Sequence, residues 1–297
     1  MRNPFARPAL HTSDRPSSTA QWTTLGRALE LHRTDRIVTD DYAPLFLSRS
    51  SRALLHSFTL GAPVVQRAER LALTGLAASG LSRHAFIDEH LLAALPAVSQ
   101  VVILGAGYDS RAYRFAAQIG ARPVFEVDLA PLSRRKAAII AAHADVFGHA
   151  SIHRVEIDFR TQSLVDRLAG SGFDPGAPTF VVWEGVSMYL SRAAVDGTLA
   201  ALATVCGAGS VLAMDFWQQV SGVGGYSFRL AAERAMRLIG EPITFPIDAV
   251  DVPQLLAPHR FAVRDLADGG ELTVRYATDG RRCDPGMYVV AAELTAA

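Results

Sequence analysis

Lysine is almost missing from this chain. Lys136 is the single one among 29 basic residues, and arginine supplies the rest of the positive charge. With so little lysine there is no Gly-x-x-x-x-Gly-Lys-Ser/Thr loop, which argues against a P-loop nucleotide site. The Tyr-x-x-x-Lys pair of a nicotinamide-dependent reductase is missing too. An excess of either charge is also lacking, because 29 acidic residues balance the basic ones. Without a basic run or a basic surplus, nothing marks a nucleic-acid partner. Cysteine is scarce: Cys206 and Cys283 form no C-x-x-C pair and no metal-ligand spacing. Two free, buried thiols in a reducing compartment are expected. No apolar run approaches the ~20 residues that span a bilayer, and the N-terminus lacks the apolar stretch of a secretory signal. A cytoplasmic protein with no membrane partner is the expectation. Metal motifs are lacking as well. His149 and His153 are four apart, but no acid completes a ligand set and no H-E-x-x-H word occurs. No metal is expected.

What the chain does have is apolar bulk. Of its 297 residues 49% are hydrophobic and 20% charged, enough for one sizeable α/β core. Residues 1–18 hold three prolines, several hydroxyl residues and few large apolar groups, and read as a mobile tail. A single domain over 19–297 is expected, with 19–95 as a helical cap and 217–250 as an inserted lid. Trp22, Leu25 and Leu29 give a helical pattern over Thr19–His32. Helices continue over 51–95, with breaks at Gly61-Ala-Pro63 and Gly80.

The organising stretch is Val101-Val102-Ile103-Leu104-Gly105-Ala106-Gly107-Tyr108-Asp109. Four apolar residues running into Gly-x-Gly-x-Asp predict a parallel strand buried on both faces. The two glycines allow a tight turn and a close backbone approach to a ligand. Asp109 and Ser110 suit the cap of a helix over Ser110–Ile119. The dinucleotide fingerprint needs a third glycine, and none follows. A nucleoside ligand without a phosphate chain fits better, and S-adenosylmethionine (SAM) answers that description.

The second strand, Pro123–Asp128, ends in an acid about 20 residues past the glycines, where an acid can accept hydrogen bonds from a ribose. Asp128 is the first choice, with Leu129 beside it, and Glu126 is the alternative. A helix from Pro131 to Phe147 leads to a third strand, Ser151–Ile157. Asp158 and Phe159 follow, suited to framing an adenine edge. A competing role for Asp158 is the N-cap of a helix over Thr161–Ala169. Thr179–Trp183 is a fourth strand, and Glu184-Gly185-Val186-Ser187-Met188-Tyr189-Leu190 leaves its end. Ser191 starts a helix running to about Cys206. Gly209–Phe216 is a fifth strand. A Gly-rich segment, Trp217–Tyr226, suits a lid or recognition loop. A helix to Ile239 and a proline-rich stretch at 241–246 come next. A short helix at 251–258 and two strands at Phe261–Arg264 and Met287–Ala292 close the pattern. The fold class is therefore α/β and Rossmann-like.

Three words taken together resemble the leucine carboxyl methyltransferase family: Leu104–Arg114, Phe125–Leu129 and Trp183–Leu190. The closer resemblance is to its bacterial branch, which includes tetracenomycin-type carboxyl methyltransferases of polyketide pathways. It covers the chain from about Asp40, where Asp40-Asp41-Tyr42-Ala43 resembles the family's Asp-x-Tyr-Ala element. The resemblance implies a class I methyltransferase: a seven-stranded, mostly parallel sheet with helices on both faces. It implies SAM as cofactor, S-adenosylhomocysteine as product, and methylation of a small-molecule carboxylate or hydroxyl in secondary metabolism. Alternatives are a non-catalytic SAM-binding protein and a protein C-terminal carboxyl methyltransferase. Monomer and homodimer are both left open. Carried over residue by residue, Arg83 contacts the SAM carboxylate. Gly105, Ala106, Gly107 and Asp109 form the loop, Asp128 and Leu129 face the ribose, Asp158 and Phe159 the adenine, and Glu184 the amino-group side of the pocket. Met188 and Tyr189 are candidates for walling the transfer site. The family's Thr and second Arg after Arg83 are replaced by His84 and Ala85. No general base is named, since none of the nine histidines sits in a recognisable motif.

Overall fold

The computed structural model describes residues 18–61, 75–148, 151–159, 161–218, 237 and 242–296. The expected tail up to residue 17, the break at 62–63, and most of the lid, with its Gly-rich loop and the helix to Ile239, lie outside those residues.

Seven strands form one sheet in the order β3-β2-β1-β4-β5-β7-β6. They are β1 (Gln100–Leu104), β2 (Val124–Asp128), β3 (Ile152–Glu156), β4 (Thr179–Trp183), β5 (Val211–Trp217), β6 (Phe261–Ala267) and β7 (Met287–Leu294). The first five run parallel, and β7 runs antiparallel to both its neighbours. β1 lies between β2 and β4, with Val102 opposite Phe125 on one side and Val181 on the other. The chain therefore winds outward from β1 to β3 and returns across β1 to β4. That reversal opens a crevice at the carboxyl ends of β1 and β4, where ligands of such sheets bind. β1, β2 and β4 are buried along their whole length, which accounts for their near-continuous apolar runs.

Alternation along the strands supplies two cores. Val102, Leu104, Val181 and Trp183 face one layer of helices, while Val101, Ile103 and Val182 face the other. Twelve α-helices are described: α1 (Ser18–Glu30), α2 (Ala43–Phe46), α3 (Arg49–Leu60), α4 (Leu76–Ala94), α5 (Arg111–Arg114), α6 (Ala116–Ile119), α7 (Ala130–Ala142), α8 (Ala144–Phe147), α9 (Leu164–Ala169), α10 (Arg192–Val205), α11 (Val252–Leu256) and α12 (Gly269–Tyr276). α9, α10 and α11 cover the first face, and α4 covers the second. Fully buried leucines such as Leu199, Leu202 and Leu91 each contribute roughly 1.5–3 kcal/mol by leaving water.

Several helices differ from the sequence expectation. The expected break at Gly80 is absent, and α4 runs through it. A helical glycine costs only about 1 kcal/mol relative to alanine, and burial of Phe86, Ile87 and Leu91 outweighs it. α4 also packs in the core with Ile103 and Val182, so the last part of the expected 19–95 cap belongs to the sheet's own helical layer. The helix expected over 110–119 is two short turns divided at Phe115, and Arg111 and Arg114 share the face turned to α4. The helix expected over 131–147 divides at His143, whose Nδ1–H donates to the Ile139 carbonyl. α12 was not expected. Asp268 caps it by accepting from the Glu271 amide at 2.9 Å, an Asp with an acid three residues on.

α1 is fastened over the crevice. Arg27 Nη2 donates to the Tyr108 carbonyl at 2.8 Å, and Arg27 Nε pairs with Asp40 at 2.8 Å. Asp40 Oδ1 in turn accepts from the amides of Tyr42 and Ala43 at 3.1 Å, which caps the entry to α2.

Candidate active site

The glycine turn after β1 is built as its residues require. Gly105 and Gly107 have φ of 63° and 39°, a region that side chains rarely adopt. A Cβ on Gly105 would stand 2.3 Å from Val186 Cγ2, so the loops after β1 and β4 are in contact. The amides of Gly105 and Ala106 donate to the Val127 carbonyl. The Gly107 amide reaches Asp128 Oδ2 at 2.6 Å, and the Leu129 amide reaches Asp128 Oδ1 at 2.6 Å. Glycine loop and strand-end acid are thus directly joined. Burial pushes the Asp128 carboxyl up from its ordinary value, and the two amides offset this only in part. Glu126, the alternative acid, has another partner. Its carboxylate pairs with Lys136 Nζ at 2.7 Å, and the same Nζ donates to the Asp109 carbonyl at 2.6 Å. The chain's one lysine thereby ties the acid of β2 to the glycine loop.

A second group of side chains fills the floor of the crevice. α4 contributes Arg83, His84 and Asp88. Arg83 Nε donates to Glu184 Oε1 at 3.1 Å, and its Nη1 donates to Asp215 Oδ2 at 2.6 Å. Asp215, in β5, also accepts from the Gly185 amide at 2.6 Å. Arg111 pairs with Asp88 at 2.6 Å, with Glu184 at 2.8 Å and with Asp109. Arg114 pairs with Asp88 at 2.7 Å. The ordering of charges follows from these contacts. Burial alone raises the Glu184 carboxyl, but His84, Arg111 and Arg83 hold it well below its ordinary value. Burial also raises Asp109, and Arg111, helped by Lys136, brings it to about 2. Asp215 moves up, because its burial exceeds what Arg83 and Gly185 return.

His84 sits inside this cluster. Both its ring nitrogens face guanidiniums, Nε2 at 2.8 Å from Arg114 Nη2 and Nδ1 at 2.8 Å from Arg111 Nη2, and Nδ1 also lies 2.9 Å from Glu184 Oε2. Burial and then Arg111 lower its pKa, so the ring is neutral. Three guanidiniums (Arg83, Arg111, Arg114) thus meet four carboxylates (Asp88, Asp109, Glu184, Asp215). Among the described residues the cluster holds one more acid than guanidinium.

The expected site residues fall into three places. Gly105, Ala106, Gly107, Asp128 and Leu129 form the loop-and-acid group, and Arg83, Asp109 and Glu184 belong to the charged cluster. Asp158 and Phe159 follow β3, and the Asp158 carbonyl accepts from Thr161 and Gln162. Asp158 is not a helix cap. α9 starts later, and Ser163 caps it by accepting from the Asp166 amide. Phe159 packs against the first core. Met188 is buried and Tyr189 half-buried in a small cluster with Trp217 and Met287, and the Tyr189 hydroxyl acts on the charge of Arg83. Sequence reasoning passed over His84, Asp88, Arg111, Arg114 and Asp215. The signal for Asp215 was available: a lone acid in the apolar run of β5 needs a buried partner.

Cys206 and Cys283 are free and buried. Among the described residues no group of three His, Cys, Asp or Glu converges as a metal site, and no helix is long and apolar enough to cross a membrane.

Comparison with known proteins adds a family. The leucine carboxyl methyltransferase family model matches residues 20–203. A Rhodococcus jostii protein, provisionally named an S-adenosyl-L-methionine-dependent methyltransferase, is 35% identical over 192 residues, covering 64% of this chain and 62% of its own. A similarly named Mycobacterium bovis protein is 29% identical over 264 residues, covering 86% of this chain and 83% of its own. The chain thus spans less than two thirds of the Rhodococcus relative. Among solved structures, a DUF574 family protein from Streptomyces avermitilis has a TM-score of 0.60 at 13% identity, covering 94% of this chain and 97% of its own. A Thermobifida fusca protein, described provisionally as a methyltransferase, has a TM-score of 0.60 at 16% identity, covering 96% of this chain and 97% of its own. At such identities the likeness concerns the fold.

Proposed function

This chain belongs to the leucine carboxyl methyltransferase family, and from that premise we propose that it is a SAM-dependent O-methyltransferase whose acceptor is a small-molecule carboxylate. The observation that carries the reading is the charge of the buried cluster. Among the described residues four acids stand against three arginines beside the glycine loop, a formal excess of one acid. An unpaired buried charge is costly. SAM carries a sulfonium and an ammonium against one carboxylate, a net positive charge that matches the deficit.

The remaining donors and acceptors fit the same ligand. Asp128 uses one lone pair of each oxygen for an amide, and a carboxylate has about four such sites. Each oxygen keeps one for a ribose hydroxyl. Arg83 engages Glu184 and Asp215 through Nε and Nη1, which leaves Nη2 for the ligand's carboxylate. Glu184 suits the ammonium. Leu129 is the apolar neighbour of the ribose, and Asp158 with Phe159 suits the adenine edge. Gly105, Ala106 and Gly107 let the backbone approach the ligand, and Asp109 anchors the loop through Arg111.

When bound, SAM supplies a methyl group already activated for in-line displacement. The chain's residues then have to orient the two reactants and exclude water, and orientation alone can supply an effective molarity of ~10⁵ M or more. A carboxylate acceptor, with a pKa of roughly 4, is ionised at neutral pH and needs no base, whereas a phenol near 10 does. His84 is poorly suited to serve as that base: both its ring nitrogens are occupied, Nε2 by Arg114 and Nδ1 by Arg111 and Glu184. This favours a carboxylate over a hydroxyl. α1, held on the Tyr108 carbonyl by Arg27, is the part of the cap that would shield the site from water.

The test is turnover. S-adenosylhomocysteine release is followed with a panel of aromatic and aliphatic carboxylic acids and their phenol and alcohol counterparts. Release with acids and not with their counterparts is expected. Release with phenols alone would overturn the carboxylate assignment. SAM binding without turnover on any member would favour a non-catalytic SAM-binding protein.

A further inference from the structure

A cavity of about 420 Å³ lies away from the crevice, between the loop joining α2 to α3 and the outer face of α7. Its size falls within the roughly 300–1,000 Å³ of small-molecule sites. Leu45, Leu47, Ile139 and Ala142 give it apolar walls, and Arg49, Arg52 and Arg135 reach into it. No lining residue is acidic. Among the described residues none of the three arginines has an ion-pair partner, whereas others, such as Arg27, Arg83, Arg111, Arg114 and Arg281, stand against carboxylates. Among the described residues the Arg49 side chain makes no hydrogen bond, Arg52 touches only the Leu45 carbonyl at 3.4 Å, and the charge of Arg135 acts on the Tyr108 hydroxyl. Three unneutralised guanidiniums around an apolar hollow are a recognition pattern for an anion with an apolar body.

We propose that this cavity is a second ligand site, which binds an amphipathic organic carboxylate with its head among Arg49, Arg52 and Arg135 and its apolar body along Leu45 and Ile139. The chain's own undescribed segments are poor occupants by charge. Residues 1–17 carry three arginines against one acid, residues 62–74 two against one, and residues 219–236 with 238–241 two against two, so none has an acidic surplus. The site also adjoins the glycine loop. Phe46 lines the cavity and stacks on Tyr108, ring centroids 5.4 Å apart, so an occupant touches a residue packed directly on Gly107's neighbour.

The experiment is calorimetric titration of the full chain, without cofactor, with decanoate, decanol and decyltrimethylammonium. Saturable one-site binding of decanoate is expected, with the neutral and cationic chains at least tenfold weaker. The Arg52→Gln/Arg135→Gln variant, changed at exposed positions outside the crevice, is expected to lose roughly tenfold or more in decanoate affinity, the scale of a lost charge-assisted contact. Ala138→Glu, which sets a carboxylate on the cavity wall, is expected to abolish binding. Equal uptake of the three chains, no saturable uptake of decanoate, or unchanged affinity in both variants would overturn the proposal. Because no SAM is present, the outcome is independent of the methyl-transfer reading.

Discussion

Arg83 and Asp215 are 132 residues apart in sequence and 2.6 Å apart in the fold, joined Nη1 to Oδ2 with both side chains buried. The pair fixes the guanidinium between α4 and β5 before any ligand arrives. Removing one partner of a buried pair leaves an uncompensated charge and costs about 3–5 kcal/mol. Asp215→Ala is therefore expected to lower stability by that order in urea denaturation. Asp215→Asn keeps the shape and one acceptor. It is expected to fold, and to bind SAM roughly tenfold more weakly because Arg83 is less firmly held. Unchanged stability in Asp215→Ala would contradict the pairing.

Asp128 and Glu126 share a strand and divide the work. Asp128→Ala removes the acceptor joined to Gly107 and Leu129. Losing hydrogen bonds to a charged group, at about 1.5–3 kcal/mol, predicts a 10- to 100-fold weaker SAM affinity by calorimetry. Glu126→Gln strands Lys136 in the core. It is expected to lower the melting temperature while leaving the affinity of the folded fraction within about threefold of wild type, since its contacts lie outside the ribose group. The reverse pattern would reassign the ribose acid.

His84 makes stability depend on pH. Its pKa is lowered in the folded protein, by burial first and Arg111 second, against about 6.5 in an unfolded chain. As pH falls through 6.5 the unfolded chain takes up a proton that the folded one refuses. Stability is therefore full above 6.5 and declines on the acid side down to the folded pKa, by up to about 1.4 kcal/mol per pH unit. Urea denaturation at pH 7.5 and 5.5 is expected to show this loss, and His84→Gln is expected to reduce it. An equal acid loss in the variant would assign it to other groups.

Gly105 touches Val186 across the crevice, so its substitution has two separable costs. A Cβ at φ 63° is strained, and it would lie 2.3 Å from Val186 Cγ2. Strain of this kind costs about 1–3 kcal/mol. Gly105→Ala is expected to lower the thermal midpoint. Val186→Ala, which removes the clashing methyl, is expected to restore part of the loss in the double variant. Strict additivity of the two changes would show that the loops are not in contact.

Much of this architecture was legible in sequence, for identifiable reasons. Every strand lies within three residues of its expected ends; β1, β2 and β4 were legible because buried parallel strands read as near-continuous apolar runs. Gly105, Gly107 and Asp128 were legible because a turn at positive φ and a strand-end acid leave a fixed spacing. The charged cluster was not. Arg83 to Glu184 and Arg83 to Asp215 are contacts between distant segments, and no local pattern encodes which acid an arginine will find. His84 was passed over because a histidine in a helix carries no periodic signal. The division of the helix at His143 escaped notice because a side chain competing for a carbonyl, as His143 does for Ile139, is a local choice that apolar spacing does not report.

The most direct test of the central claim is a crystal structure of the chain with S-adenosylhomocysteine. The account predicts density in the crevice between β1 and β4, with both ribose hydroxyls within hydrogen-bond distance of Asp128 and the amino-acid carboxylate on Arg83. Density confined to another part of the surface, or an Asp128 carboxylate without ribose contact, would contradict it.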